Sequence, residues 1–541
     1  MKNIKLNLKR NALVILGLFI VTTAFTQDRY FVYGKLFDKI TSEPVVFASI
    51  VIKNKAIGVI SNEDGVFRIP LKFQEIGDTL VISSMGYGSK EIVLSNLVVE
   101  TINRIALTPM LMELQEVTVM ADNSRGKRKK KLSPKEIIQK AIVNIPENYP
   151  TAANSYVGYY RDYQLKEGSY YNLNEAIVEV FDKGFGYNDF ETTNVGIFNY
   201  KQNLDFPRDT LANKQYNYKN KSKVIPNSYV RSYGGNEFVI MRIMDAIRNY
   251  NTTSYSYVDK LDEDFIKNHV LRLEDDVFID GKKIFSIAIT RNDGATLANG
   301  TIYIAKDNFA IHKLNYAVYD LPEKSSIRNR LDYKGNKEDL LYQVRVEYKE
   351  NNNLMYPNYV SFNNSFKIKE PPAFKVDMVK IKFEEKHIEV YFNKEPKKFP
   401  SVNNNVYNPS NTDNYWLSYK GEKIKLLNVT LMKENKAILY PGKKGRSSDL
   451  FTDGIALFNK DELRLHIKNV KDIDNNEINE SKVYKSNQFR EFFLQKINSK
   501  VTFPADSLYM IKNRPIFENQ PLAAPQGFED YWMNTPLQNI K

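Results

Sequence analysis

The chain has 541 residues, 77 Lys and Arg against 64 Asp and Glu, and 42% hydrophobic residues. That length predicts about three domains with cores of their own. It has no cysteine, which excludes disulfides, thiolate zinc sites, a cysteine nucleophile and a lipid-bearing cysteine behind a signal sequence. The formal charge of +13 is local: four charges fall in the first ten residues and six in residues 125–131, leaving three for the rest. A balance concentrated in this way argues against a nucleic-acid partner.

Lys2, Lys5, Lys9 and Arg10 precede Ala12–Phe25, an apolar stretch of 14 residues. This is the form of a cleaved signal sequence over 1–26, with Gln27 as the first mature residue. The stretch is short of the roughly 20 apolar residues of a spanning helix, and nothing else in the chain approaches that length. The expected address is exported, in the periplasm or associated with the outer membrane, and not a lipoprotein.

Residues 27–110 read as short strands divided by turns. Val45–Ile52 is an apolar run opened by Pro44, and Asp64-Gly65 between Ile57–Ile60 and Val66–Ile69 predicts a hairpin. Gly86 and Gly88 break the chain after Leu80–Ser84. Gly34, Asp38, Glu43-Pro44, Ala48-Ser49-Ile50, Gly58, Asp64-Gly65-Val66-Phe67 and Met85-Gly86-Tyr87 together resemble the carboxypeptidase-D-regulatory-like domain. That resemblance implies a small β-sandwich of the transthyretin type, an accessory and not a catalyst.

Residues 111–132 read as a strand and a basic linker. The segment 111–121, with Val117, Val119 and Ala121 alternating, is similar to one that follows such a sandwich in TonB-dependent outer-membrane receptors, and it reads as a last strand or a tether. The chain beyond it is too short for a plug and a 22-stranded barrel. Arg125, Lys127, Arg128, Lys129, Lys130 and Lys131 then form a solvated, protease-sensitive linker, with contact to anionic lipid as the alternative.

A central domain is expected over 133–385. Ser133-Pro134-Lys135-Glu136 has the form of a capping box, and Ile137, Ile138, Ala141 and Ile142 continue it as a helix stopped before Pro146. The continuation IPENYP and then SYVGYYRDYQL resembles a family of exported proteins of unknown function that carry the sandwich at their N-terminus, a resemblance that covers roughly residues 112–385. One strand is read around Val157, Tyr159 and Arg161 and another over Ala176–Phe181. A helix is read through Val239, Ile240, Ile243, Met244 and Ile247. From Leu271 an antiparallel meander follows. It turns at Asp280-Gly281, at Lys306-Asp307-Asn308 and at Asn351-Asn352-Asn353, and ends with Val376–Phe383. Such a meander curves around a helix or an apolar ligand. Residues 300–316 are similar to a strand pair of the periplasmic lipoprotein-carrier half-barrel.

Residues 386–485 resemble a bacterial Ig-like domain, on the opening IEVYFNKEP and the closing turn with Val470, Asp472 and Asn476, where Asn475 replaces the usual glycine. Residues 486–541, with Pro515, Pro521, Pro525 and Pro536, read as an extended tail. The fold class is therefore mainly β and multidomain: an N-terminal β-sandwich, a central antiparallel curved sheet with a few helices, and a C-terminal Ig-like sandwich.

The four histidines, His269, His312, His387 and His466, build no zinc-hydrolase motif. His387 and Glu389 share a strand face, which makes a surface pair and not a metal site. No G-x-S-x-G elbow or phosphate loop occurs, and Asp472 with Asp474 reads as an Asx turn and not a calcium loop. No catalytic, cofactor-binding or metal-ligating residue is singled out. The expected function is a non-enzymatic exported binding or assembly protein of the bacterial cell envelope, with an outer-membrane protein or a glycan as partner. The alternatives are a lipid or acyl-chain carrier using the curved sheet, and a glycan-binding accessory or hydrolase.

Overall fold

The computed structural model describes residues 31–110 except 56 and 100, 131–252 except 167 and 228–229, and 261–321 except 262 and 280–281. It further describes 339–399, 406–444 except 434, 448–451, 458–498, 501, 505 and 508–536 except 526. The expected signal sequence, the segment 111–121 read as a strand, the Asp280-Gly281 turn and all of the basic run but Lys131 lie outside these residues. The chain divides into two compact units, residues 1–367 with 485–541, and residues 368–484.

The first unit opens with the sandwich. Its strands are β1 (Phe31–Asp38), β2 (Ser49–Ile52), β3 (Gly58–Ile60), β4 (Val66–Pro70), β5 (Thr79–Ser83), β6 (Lys90–Val93) and β7 (Ile102–Leu107), with one short helix α1 (Leu71–Glu75) after β4. Two sheets, β4-β1-β7 and β3-β2-β5-β6, face each other. Strict alternation along β1 sends Val32 and Leu36 into the core with Ile50, Ile52, Phe67, Ile69, Leu80 and Ile82. The Asp64-Gly65 turn forms as read, with Gly65 at φ +74 and the Asn62 side chain accepting from the Asp64 and Val66 amides. It does not close a hairpin, because β3 and β4 belong to opposite sheets and the turn carries the chain across the sandwich. Two short apolar runs around a turn look alike whether they pair or part.

After the linker come α2 (Pro134–Val143) and α3 (Ile145–Asn148), then β8 (Asn154–Lys166), β9 (Ser169–Asp182), α4 (Asp189–Thr192), β10 (Asn194–Gln202), β11 (Lys223–Val224), α5 (Glu237–Arg242) and α6 (Glu263–Asn268). The meander follows as β12 (Val270–Leu273), β13 (Val277–Ile279), β14 (Lys282–Asn292), β15 (Thr296–Ala305), β16 (Ile311–Asp320), β17 (Leu340–Asn351) and β18 (Leu354–Lys369). The capping box at Ser133 and Glu136 is reciprocal. Asn352 and Asn353 take the positive φ that the β17–β18 turn requires. α2 packs on β12, β15 and α6, with Ile137 and Ile138 fully buried. A helix therefore fills the place where the meander was expected to wrap a helix or an apolar ligand.

The second unit holds β19 (Val376–Lys382), β20 (His387–Phe392), β21 (Tyr415–Tyr419), β22 (Glu422–Ile424), β23 (Leu426–Met432), β24 (Lys436–Pro441), β25 (Lys443–Lys444), β26 (Ser448–Asp449) and β27 (Leu463–Ile467). The sheets β19-β20-β24-β23 and β22-β21-β27 enclose a core of Ile388, Val390, Leu417, Val429, Leu439 and Ile467. β19, read from sequence as the end of the central meander, pairs instead with β20 of this unit. The closing turn forms as expected: both Asp472 oxygens accept from Asn476 at 2.8 Å, and Asn475 sits at φ +65.

The chain then returns to the first unit as β28 (Val483–Asn498). This segment was read as the start of an extended tail, yet β28 is an interior strand of a 12-stranded sheet whose main path is β10-β9-β8-β28-β18-β17-β16-β15-β14-β12, with β11 pairing β18 and β13 pairing β14 beside it. β28 is buried on both faces, so QFREFFLQKI lacks the alternation that marks a half-exposed strand. The tail proper bridges to β10 at Gly196–Tyr509 and Ile197–Leu522. It ends with Trp532 in the sandwich core.

Candidate functional site

One face of the large sheet carries the sandwich. Phe47 and Ile60 leave the sandwich to pack with Val157, Tyr159, Ile177, Phe198, Tyr359 and Phe493 of the sheet. Phe47 is held at φ +57, a conformation that costs a bulky residue energy, and its ring stacks on Tyr359 at 4.6 Å. The tail locks this contact. The Trp532 indole donates to the Arg68 carbonyl at 2.9 Å, Asn534 donates to the Ile60 carbonyl at 3.1 Å, and Thr535 donates to Glu175 at 2.7 Å.

The sheet interior is unusually ionic. On the sandwich side Arg161 pairs with Glu491 at 2.6 Å, and Tyr359 donates to the same carboxylate at 2.9 Å. On the other side Arg490 reaches Glu237 at 2.5 Å, Asn364 at 2.7 Å and Tyr216 at 3.1 Å. Arg248 grips Asp182 through two bonds of 2.8 and 2.9 Å, while Arg242 binds Asp189 and Tyr156. Buried charges are kept in place by such partners, and removal of one partner costs far more than the pair gains.

Beside Arg490 lies a polar cavity of about 310 Å³, lined among others by Asp162, Asn174, Lys223, Glu237, Gln488 and Glu518. Asp162 comes from β8, Asn174 from β9, Lys223 from β11, Glu237 from the first turn of α5 and Gln488 from β28. Asp162 accepts from Tyr160 at 3.0 Å and Asn174 at 2.9 Å. Burial, with the Glu237 charge behind it, pushes its carboxyl up to about 7. The Lys223 ammonium donates to the carbonyls of Ala212 at 2.7 Å and Lys214 at 2.8 Å. It sits over the rings of Tyr216 and Phe366, and burial pulls it down to about 8. A carboxyl and an ammonium that both change charge near neutrality, facing one polar space, can exchange protons with a bound group or ion-pair with it.

The histidines go elsewhere. His269 is buried between the Phe265 carbonyl and the Tyr316 hydroxyl, at 2.9 and 2.7 Å. His312 is buried on β16. His387 lies 3.8 Å from Glu389, whose carboxylate also takes Lys436 and Tyr391. The two share one strand face as expected, but they are not the surface pair that was read, because Glu389 is buried. Among the described residues no group of three or more His, Asp or Glu could hold a metal ion, and no helix is long and apolar enough to cross a membrane. Sequence reading did not find the cavity. The available signal was a charged pair inside each of two aromatic strands, Arg161-Asp162 and Arg490-Glu491.

The family model of the CarboxypepD_reg-like domain matches residues 32–119, so the N-terminal sandwich is the carboxypeptidase-regulatory-like domain that its motifs resemble. No curated protein matches the chain. Among solved structures it is similar to a DUF1329 family protein from Desulfovibrio piger, at 11% identity over 43% of this chain and 87% of that one, with a TM-score of 0.22. It is also similar to a putative outer membrane lipoprotein-sorting protein domain from Vibrio parahaemolyticus, at 10% identity over 43% and 86%, with a TM-score of 0.18. At TM-scores this low neither likeness bears on function.

Proposed function

We propose that the chain is a non-enzymatic, exported binding protein of the bacterial cell envelope, and that the cavity beside Asp162 takes a small polar ligand. The observation that supports this reading is the convergence of Asp162, Lys223 and Glu237 from three separate elements on one polar cavity. Each of the three is held by a partner within the protein, and a ligand with donors and acceptors would use the hydrogen-bonding capacity that remains toward the cavity. The sandwich and the tail strap serve as the rigid frame on which β8 and β9 hold the site.

The test is native mass spectrometry of the protein purified from its own envelope fraction. A small adduct is expected, and it should be lost in Asp162→Asn and in Lys223→Met while both variants stay folded. An adduct-free protein whose melting temperature is unmoved by dialysed envelope extract would remove the cavity from the function. Chemical conversion of the adduct during incubation would make the protein an enzyme and sink the non-enzymatic half of the reading.

A further inference from the structure

The chain has two tryptophans, and they are used in opposite ways. Trp532 is buried in the sandwich core, while Trp416 in the second unit is 40% exposed. Trp416 lies on β21, where Tyr415, Leu417 and Tyr419 point into the core of that unit, so Trp416 faces outward, while Ser418 on the same side of the strand is only 3% exposed between its cross-strand neighbours. The register places His466 directly opposite Trp416 and Arg464 directly opposite Ser418 on β27, with Lys423 of β22 across from Ser418 on the other side.

The outer face of this three-stranded sheet therefore has two rows. One is Lys423–Ser418–Arg464. The other, about 7 Å along the strands by ladder spacing, is Trp416–His466, whose rings stand 5.3 Å apart. Lys423, Arg464 and His466 are all exposed. No carboxylate occupies either row: Glu422 registers with Tyr419, and Asp461 and Glu462 precede β27. Arg464 spends Nη1 on the carbonyls of Asp461 and Leu463, which holds the guanidinium in place on the face.

We infer that this face binds an acidic polysaccharide, with a sugar ring lying on the Trp416 indole and its carboxylate drawn to Arg464 and Lys423. The indole offers one broad apolar platform the size of a single ring. Its exposed neighbours on the face are Lys423 and Arg464, which carry positive charge and donate hydrogen bonds, and the His466 ring. A membrane-seeking surface would need several adjacent apolar side chains, and the face has one. Trp and Arg at the centre of a patch are also the residues that carry most of the binding energy at interfaces. The charged part of the attraction weakens with salt, while the stacking part does not. This site is separate from the Asp162 cavity, and its success or failure is read independently of that proposal.

The test uses the full mature chain in affinity electrophoresis through gels containing polygalacturonate, with neutral dextran gels as reference. Retardation is expected in polygalacturonate alone. Trp416→Ala should weaken it about tenfold, and Lys423→Glu with Arg464→Glu should abolish it, with melting curves confirming that each variant is folded. The inference is overturned by any of three results: no retardation, retardation unchanged in both folded variants, or tighter binding to phosphatidylglycerol vesicles or single-stranded DNA than to polygalacturonate.

Discussion

Replacing Trp532 by Ala should unfasten the N-terminal sandwich. The indole is 5% exposed and lies 5.7 Å from the Phe73 ring, within the same core as Leu36, Ile69 and Leu80. Truncating a buried Trp to Ala costs about 3–5 kcal/mol. The lost bond to the Arg68 carbonyl adds about 1 kcal/mol. The strap's other anchors survive, because Arg68 binds the Met533 carbonyl and Gln495 binds the Trp532 carbonyl, both backbone groups that the substitution leaves in place. The net loss should therefore stay near the lower figure. Hydrogen exchange followed by mass spectrometry is the assay. Peptides from 31–110 should exchange at least about a hundredfold faster, since 1.4 kcal/mol is a factor of ten. Peptides from the second unit should not change. In a Trp416→Phe background Trp532 is the sole indole, and its emission should shift to the red as the sandwich opens. A loss under about 1 kcal/mol, or unchanged exchange across 31–110, would show that the sandwich completes its core without the tail.

Three further outcomes are expected. Gly158→Ala places a Cβ 2.3 Å from the Phe492 ring and 2.5 Å from the Phe493 carbonyl, so urea unfolding should show a loss of about 1–3 kcal/mol as β8 is pushed from β28. Arg490→Met should cost about 3–5 kcal/mol by leaving Glu237 without its cation, and adding Glu237→Gln should recover most of it in the same assay. The raised Asp162 carboxyl binds a proton in the folded state that the unfolded chain has already lost, so its contribution lowers stability as pH climbs from about 4 toward 7. Asp162→Asn should flatten that fall, leaving the variant the more stable protein at pH 8; a parallel pH dependence in both proteins would refute the assignment.

What could be read in the sequence was local. The capping box at Ser133, the turns at Lys306-Asp307-Asn308 and at Asn351-Asn352-Asn353, and the Asn475 turn each depend on a few neighbouring residues, and each formed as read. The sandwich was legible because its motif residues come in order within one short segment. What could not be read depended on partners far along the chain. Glu491 meets Arg161 across 330 positions, and Trp532 meets Arg68 across 464. A strand buried on both faces has no alternation to report, so β28 was taken for tail. The cavity needed β8, β9, β11, α5 and β28 to be in place before its residues became neighbours.

The position of β28 also fixes a timetable for the nascent chain. Strands β8 to β10 form one half of the sheet and β12 to β18 the other, and β28 stands between them. Until residues beyond 483 have been synthesised, β8 and the part of β18 that β11 does not pair present unpaired amides and carbonyls, and both halves wait with open edges. The sheet is thus denied its final form until Val483–Asn498 exist. In that interval its two open margins are free to pair with those of another copy, which the arrival of β28 ends.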